Sequence, residues 1–245
     1  MGTWQINRPT LGPGIKFILA INIIIYVLEL LSAYFLNFNS NLLTSLIGHF
    51  SLSAEGVLSG SIWQFFTYMW LHHPGDASHL IFNMILLFFV GPWLETQWGT
   101  KEFVIRYLVF GLGGGLLVFL TGIIHPLIFD GSQPPTLGAS GAIAGVVAAF
   151  AFYHWRQTLY LFFYPMTGKT LLLIFIGIDI LRILWGSPVA VQAHWGGMIA
   201  AAFVLGFGGF SPRRWWLTFR RWRIKRQLKL YRSSDSTDHD PHSLN

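Results

Sequence analysis

Ala139-Ser-Gly-Ala-Ile-Ala-Gly-Val-Val-Ala-Ala-Phe-Ala-Phe-Tyr-His-Trp155 is apolar almost from end to end, carries no Asp, Glu, Lys or Arg, and has one small hydroxyl at its start, Ser140. Five further blocks, near 15–36, 78–97, 103–124, 170–187 and 192–210, have the same continuous apolar character rather than an alternating one. That is the pattern of helices in a membrane, where a full crossing takes about 20 apolar residues. The blocks at 139–155 and 170–187 are short, as helices enclosed in a bundle can be. Ile62–Leu71 is also apolar and reads as an embedded loop segment ahead of the second block. Hydrophobic residues make up 53% of the chain and charged residues 11%, whereas a soluble domain carries roughly 25% charged. The expected fold is all-α: a polytopic membrane protein with six transmembrane helices.

Charge orients this bundle. Fifteen of the sixteen Lys and Arg fall in the N-terminus, the 98–106 turn, the 156–169 loop and the tail; the exception is Arg182, inside the fifth block. The connections 37–77, 125–138 and 188–191 contain none. The positive-inside rule then puts both termini in the cytoplasm and those three connections outside. The first block is too long for the h-region of a signal peptide and no small-x-small site follows it. The expected organisation is a cytoplasmic N-terminus at 1–14, a membrane domain at 15–210 and a cytoplasmic tail at 211–245. Arg213–Arg232 of that tail holds nine Lys or Arg interleaved with Trp215, Trp216, Phe219 and Trp222. This run suits an anionic inner leaflet or a simple topological anchor; nucleic acid is not an expected partner beside a membrane span. Residues 233–245 are polar and read as disordered. With no Cys in the chain, a disulfide framework, a thiol nucleophile and a Cys-based metal site are excluded.

Polar side chains inside apolar blocks are expensive and therefore informative. His79 and Asn83 are four apart at the start of the second span and share a helix face. Ser140 lies in Leu137-Gly-Ala-Ser-Gly-Ala142 at the start of the fourth, and His194 in Val191-Gln-Ala-His-Trp-Gly-Gly197 near the start of the sixth. Spans two, four and six run in the same direction, so all four side chains fall at one depth near the outer surface. Taken singly, each has a plainer reading. A membrane Ser bonds its own helix backbone, a buried His makes a structural hydrogen bond, Asn83 joins helices, and Gly141 with Gly145 permits close packing. Together at one level they supply a nucleophile, a base and an amide donor.

On these residues the sequence resembles the rhomboid family of intramembrane serine proteases. Gly138-Ala-Ser-Gly141 is similar to the family's GxSG nucleophile motif, Ala193-His194 with Gly197 to AHxxG, and His79-Leu-Ile-Phe-Asn83 to HxxxN; Gly91, Glu95 and Gly99 follow a spaced Gly/Glu/Gly pattern. The likeness runs over about residues 15–210. It departs where some members have a Tyr stacked on the base (Ala144 here), a Gly four after Gly197 (Ala201) and a Trp-Arg pair in the first outer loop (Trp63-Gln64). The resemblance implies a rhomboid-type six-helix bundle and a serine endopeptidase with no cofactor or metal, acting on transmembrane protein substrates. Ser140 is then the nucleophile and His194 the base, with an oxyanion site formed by the Ser140 N–H, Asn83 and His79. A compact core of this kind points to a bacterial inner membrane.

No carboxylate is expected at the depth of His194, so the sequence reading is a Ser–His dyad. Asp179 and Arg182, three apart on the fifth span, are expected to pair with each other. There is no His-Glu-x-x-His for a metalloprotease, and neither Asp179 nor Glu29 has the facing carboxylate an aspartyl protease needs. Two readings from other classes compete: a catalytically inactive rhomboid-like protein that binds membrane helices, and a transporter. The first usually lacks the Ser or the His, and the second would place its polar cluster at the midplane.

Overall fold

The computed structural model describes residues 9–36, 41–128, 133–161, 164–186 and 190–205. Met1–Ala202 forms one compact unit; Phe203–Asn245 forms a second, of which only the end of the last helix is described. The basic run at 213–232 and the polar stretch at 233–245 therefore lie outside the described residues, as does most of the expected N-terminal region.

Each apolar block holds one helix: α1 (Pro13–Leu36), α5 (Ala77–Trp98), α6 (Thr100–Ile128), α7 (Ser140–Tyr153), α8 (Gly168–Leu184) and α9 (Val191–Leu205). Among the described residues three of these, α1, α5 and α6, are long and apolar enough to cross a membrane. The helices α7 and α9 are apolar but only 14 and 15 residues long. The seventeen-residue α8 carries Lys169, Asp179 and Arg182. The chain from 41 to 70 is more ordered than a plain loop. It folds into α2 (Asn41–Phe50), α3 (Ala54–Leu58), α4 (Gln64–Thr67) and a 3₁₀ turn at Tyr68–Trp70.

The all-α expectation needs one amendment. The connection between α7 and α8 contains an antiparallel pair, β1 (Thr158–Leu161) and β2 (Tyr164–Thr167), in register from Thr158↔Thr167 to Leu161↔Tyr164. Thr and Tyr favour strands, and a pair this short gave no run long enough to stand out among the apolar blocks.

At the centre lies α7, buried from Gly141 through Val147 and again from Ala149 to Ala151, and packed on α5, α6 and α8. Its small residues make this possible. A Cβ at Gly145 would lie 2.5 Å from the Phe110 Cβ of α6 and 2.8 Å from the Gly197 carbonyl of α9. A helix wrapped by other helices meets little lipid, so its length need not match the hydrocarbon thickness. That explains how α7 can be both the shortest of the six and the most buried.

Glu95, near the end of α5, holds the start of α1. Its carboxylate accepts hydrogen bonds from the N–H groups of Gly14 (2.7 Å) and Ile15 (3.1 Å) and from Thr100 Oγ1 (2.7 Å). The first N–H groups of a helix lack intrahelical partners, and a carboxylate there also meets the positive end of the helix dipole. Gly91, one turn earlier, lets Ile15 approach to 3.1 Å of where a Cβ would stand. Gly91 and Glu95 of the Gly/Glu/Gly pattern thus form a docking site for α1, while Gly99, with φ +80, ends α5.

Candidate active site

At one end of the bundle α5, α7 and α9 start and α8 finishes. Asp76 caps α5, accepting from the Ser78 N–H at 3.1 Å and the Ser78 hydroxyl at 2.5 Å, so His79 sits in the first turn. Ser140 is the first residue of α7. Its cap position is Ala139, which has no side-chain acceptor, so the opening N–H groups of α7 receive no side-chain cap. Just before it, Gly138 has φ +127 and lies against the His79 ring, whose Cε1 would be 2.6 Å from a Cβ. Any other residue there would be strained by its backbone and would collide with His79.

The strand of chain leading to Ser140 is fixed from the other side by 51–70. Leu52 and Thr136 exchange both backbone hydrogen bonds at 2.8 Å, and the Gly138 N–H donates to the Tyr68 carbonyl at 2.9 Å. The Tyr68 hydroxyl in turn donates to the Gly111 carbonyl of α6 at 2.6 Å. Trp63 and Gln64 tie this segment together. The Trp63 indole donates to the His49 carbonyl (3.1 Å), and Gln64 Oε1 accepts from the Ser53 N–H (3.1 Å).

The first turns of α7 and α9 are in direct contact. A Cβ at Gly141 would lie 3.1 Å from the Ala193 carbonyl, and one at Gly197 would collide with the Gly141 carbonyl. Ser140 adjoins Gly141 and His194 adjoins Ala193, so this glycine contact brings their helices together at the required level. Ser140 and His79 line a cavity of about 480 Å³, with Ala190 and Gln192 from the start of α9 on its wall. His194 is buried, and its Nε2 has no hydrogen-bond partner among the described residues. Hydrogen bonds between nucleophile and base are often long without substrate and tighten when it binds.

Asn83, expected as an oxyanion donor, lies on α5 one turn after His79. It is buried, and its Nδ2 contacts His72 Nε2 at 3.1 Å. His72, in the connection ahead of α5, was not singled out by the sequence. Burial first, and His79 second, hold its imidazole neutral down to about 3. The Nε2 of the neutral ring can accept from one Asn83 N–H, which leaves the second amide hydrogen for other use. The His72 backbone N–H donates to the buried Glu29 carboxylate of α1 at 3.1–3.2 Å. Glu29 therefore anchors this connection, and the His72–Asn83 contact was not visible in the sequence because the partners sit on different elements.

The expectation that no carboxylate lies near His194 is corrected. His194 Nδ1 sits 2.8 Å from Asp179 Oδ1 and 3.0 Å from Oδ2. The expected ion pair with Arg182 is present as well, at 3.8 Å from Oδ1 and with the Arg182 side chain partly exposed. The reason lies in direction: α8 runs opposite to α7 and α9, so its later residues share a level with their early ones. Asp179 is five residues before the end of α8, about 7.5 Å along the axis at 1.5 Å per residue. Phe175, one turn earlier, packs its ring 5.3 Å from the His194 ring.

A family model described as the Rhomboid domain matches residues 59–211. The chain belongs to the rhomboid family. It is 33% identical over 168 residues to the Arabidopsis thaliana RHOMBOID-like protein 12, mitochondrial, covering 64% of this chain and 49% of that relative. It is 30% identical over 171 residues to the Bacillus subtilis rhomboid protease GluP, covering 64% and 29%. With the Bacillus subtilis putative rhomboid protease YdcA it shares 26% identity over 200 residues, covering 80% and 88%. The chain thus spans about half the length of the two Arabidopsis relatives matched first. As a rhomboid protein with long apolar helices, it is an integral membrane protein.

Proposed function

We propose that this rhomboid protein is an intramembrane serine endopeptidase that cuts transmembrane segments of other proteins with Ser140 and His194. The observation that carries the reading is the contact of Gly141 with Ala193 and Gly197, which sets the Ser140 and His194 helices together beside a cavity that Ser140 lines. His194 Nε2 takes the Ser140 hydroxyl proton as Oγ bonds to the scissile carbonyl carbon. The C–N bond then breaks, and the same proton passes to the leaving amine. Water next attacks the acyl group, giving its proton to Nε2 and then to Oγ as the acid leaves. The carbonyl oxygen, negative in both tetrahedral states, would be held by the Ser140 N–H at the uncapped start of α7, by the second Asn83 N–H and by His79.

In this reading all six helices of the apolar blocks cross the membrane, with α7, α8 and α9 accommodated by the bundle. The basic connections and both termini face the cytoplasm, and the near end-to-end match to a Bacillus relative supports a bacterial plasma membrane. The cut then falls near the outer boundary, where a substrate helix must open before a carbonyl can be attacked. Gly or Pro near the cut favours opening, since each destabilises a helix interior by about 1 and 3 kcal/mol.

The test is cleavage of a single-span substrate by purified protein, with products mapped by mass spectrometry and fluorophosphonate labelling of Ser140 in parallel. A cut in the outer third, lost when the Gly- or Pro-containing segment is moved to the inner third, is expected. A cut in the cytoplasmic third, or turnover by Ser140→Ala, refutes the proposal.

A further inference from the structure

The mechanism above uses one nitrogen of His194 and leaves the other, with everything it touches, unexplained. Nδ1 faces a carboxylate that is 1% exposed, from a ring that is 2% exposed. An Asp inside an apolar helix is costly unless it is paired and hydrogen-bonded. Arg182 is a weak candidate for that pairing, at 3.8 Å and with its side chain 40% exposed, whereas both carboxylate oxygens lie within 3.0 Å of Nδ1. Phe175 and Asp179 are one turn apart on α8 and meet the same imidazole, one through a tilted ring contact and the other at its nitrogen. In this chain the ring is therefore gripped from α8.

We infer that Asp179 is a positioning residue for the reaction: it accepts the Nδ1–H of His194, fixing the tautomer and ring orientation that leave Nε2 unprotonated toward Ser140, with Phe175 as the apolar side of the same clamp. The inference rests on the reading of Ser140 and His194 as nucleophile and base. A neutral imidazole has one N–H, so a carboxylate at Nδ1 assigns the lone pair to Nε2. When Nε2 takes the serine proton, the ring becomes an imidazolium, and the adjacent carboxylate stabilises it without itself being protonated. The arrangement is a Ser–His–Asp constellation whose third member comes from a helix that the sequence motifs do not include.

Two measurements test this. The first reads the tautomer directly, by ¹⁵N NMR of histidine-labelled Ser140→Ala protein at a pH where the ring is neutral, with His194→Gln assigning the signal. Protonated Nδ1 with unprotonated Nε2 is expected; an Nε2–H tautomer overturns the inference whatever the activity. The second compares kinetics of folded variants in detergent. Asp179→Asn, which can present N–H to Nδ1 and so favour the wrong tautomer, should lower kcat by about 10²–10⁴ with KM changed less than about threefold. Asp179→Glu should recover part of that loss, and Arg182→Gln should keep kcat within about threefold of wild type. An unchanged kcat in Asp179→Asn, or an equal loss in Arg182→Gln, overturns the inference. Should Asp179→Asn not fold, Asp179→Glu and the tautomer of the Ser140→Ala protein still decide it. Failure of the protease reading looks different: wild-type protein then cleaves nothing that Ser140→Ala spares.

Discussion

The two ends of α5 take part in buried polar clusters of opposite kinds. At its C-terminal end Glu95 accepts three hydrogen bonds, from Gly14, Ile15 and Thr100, all within 3.1 Å. At its N-terminal end His79 borders the Ser140 cavity, and the cluster reaches through His194 to Asp179, where Nε2 of His194 has no partner among the described residues. Satisfied polar groups fasten helices; a group held firmly on one side and left open on the other is available for chemistry. The contrast separates residues that look alike in sequence, since Glu95 and Asp179 are both acidic side chains in apolar helices.

The sharpest way to break this contrast is at the open cluster. Ser140→Ala and His194→Ala should each bring cleavage to background in a substrate assay. Ser140→Ala should leave thermal stability within about 1 kcal/mol of wild type. His194→Ala also strips the buried Asp179 carboxylate of its hydrogen bond and should cost about 1.5–3 kcal/mol. Comparable loss of folding in both would make this end structural too. A smaller effect is expected at Asn83, whose amide is shared between His72 and the proposed oxyanion. Asn83→Ala should lower kcat by about 10²–10³, the usual loss for one oxyanion donor, with fluorophosphonate labelling of Ser140 retained. A change confined to melting temperature would assign Asn83 to the His72 contact alone.

The saturated end should respond in the opposite currency. Glu95→Ala strips the acceptor from two N–H groups at the start of α1 and should destabilise by about 2–6 kcal/mol, at roughly 1–3 per unsatisfied buried group. Thermal unfolding in detergent measures this, and kcat of the folded protein should be unchanged. Smallest of all is the Asp179–Arg182 pair. Its 3.8 Å separation and partial exposure predict a double-mutant coupling of about 0–1 kcal/mol. The Asp179–His194 coupling should exceed it, at about 1.5–3 kcal/mol for a hydrogen bond to a charged group. Equal couplings would put the ion pair that the sequence suggested on a par with it.

Composition and the apolar blocks were enough to locate six helices, because burial in lipid or in a bundle demands long uncharged runs and tolerates few exceptions. The same economy made Ser140, His194, His79 and Asn83 conspicuous. The short helices between 41 and 70 were less legible, since their hydrogen bonds run to side chains such as Gln64 and to Thr136 far along the chain. What the sequence determined by itself was the list of polar groups set in apolar surroundings and the rule that helices running the same way share a level. Tertiary structure alone decided which of those groups face each other. Asp179 keeps the ion pair with Arg182 that spacing suggests, yet its nearer partner is His194. Spacing along one helix says who shares a face, while only the packing of α8 on its neighbours says what that face meets.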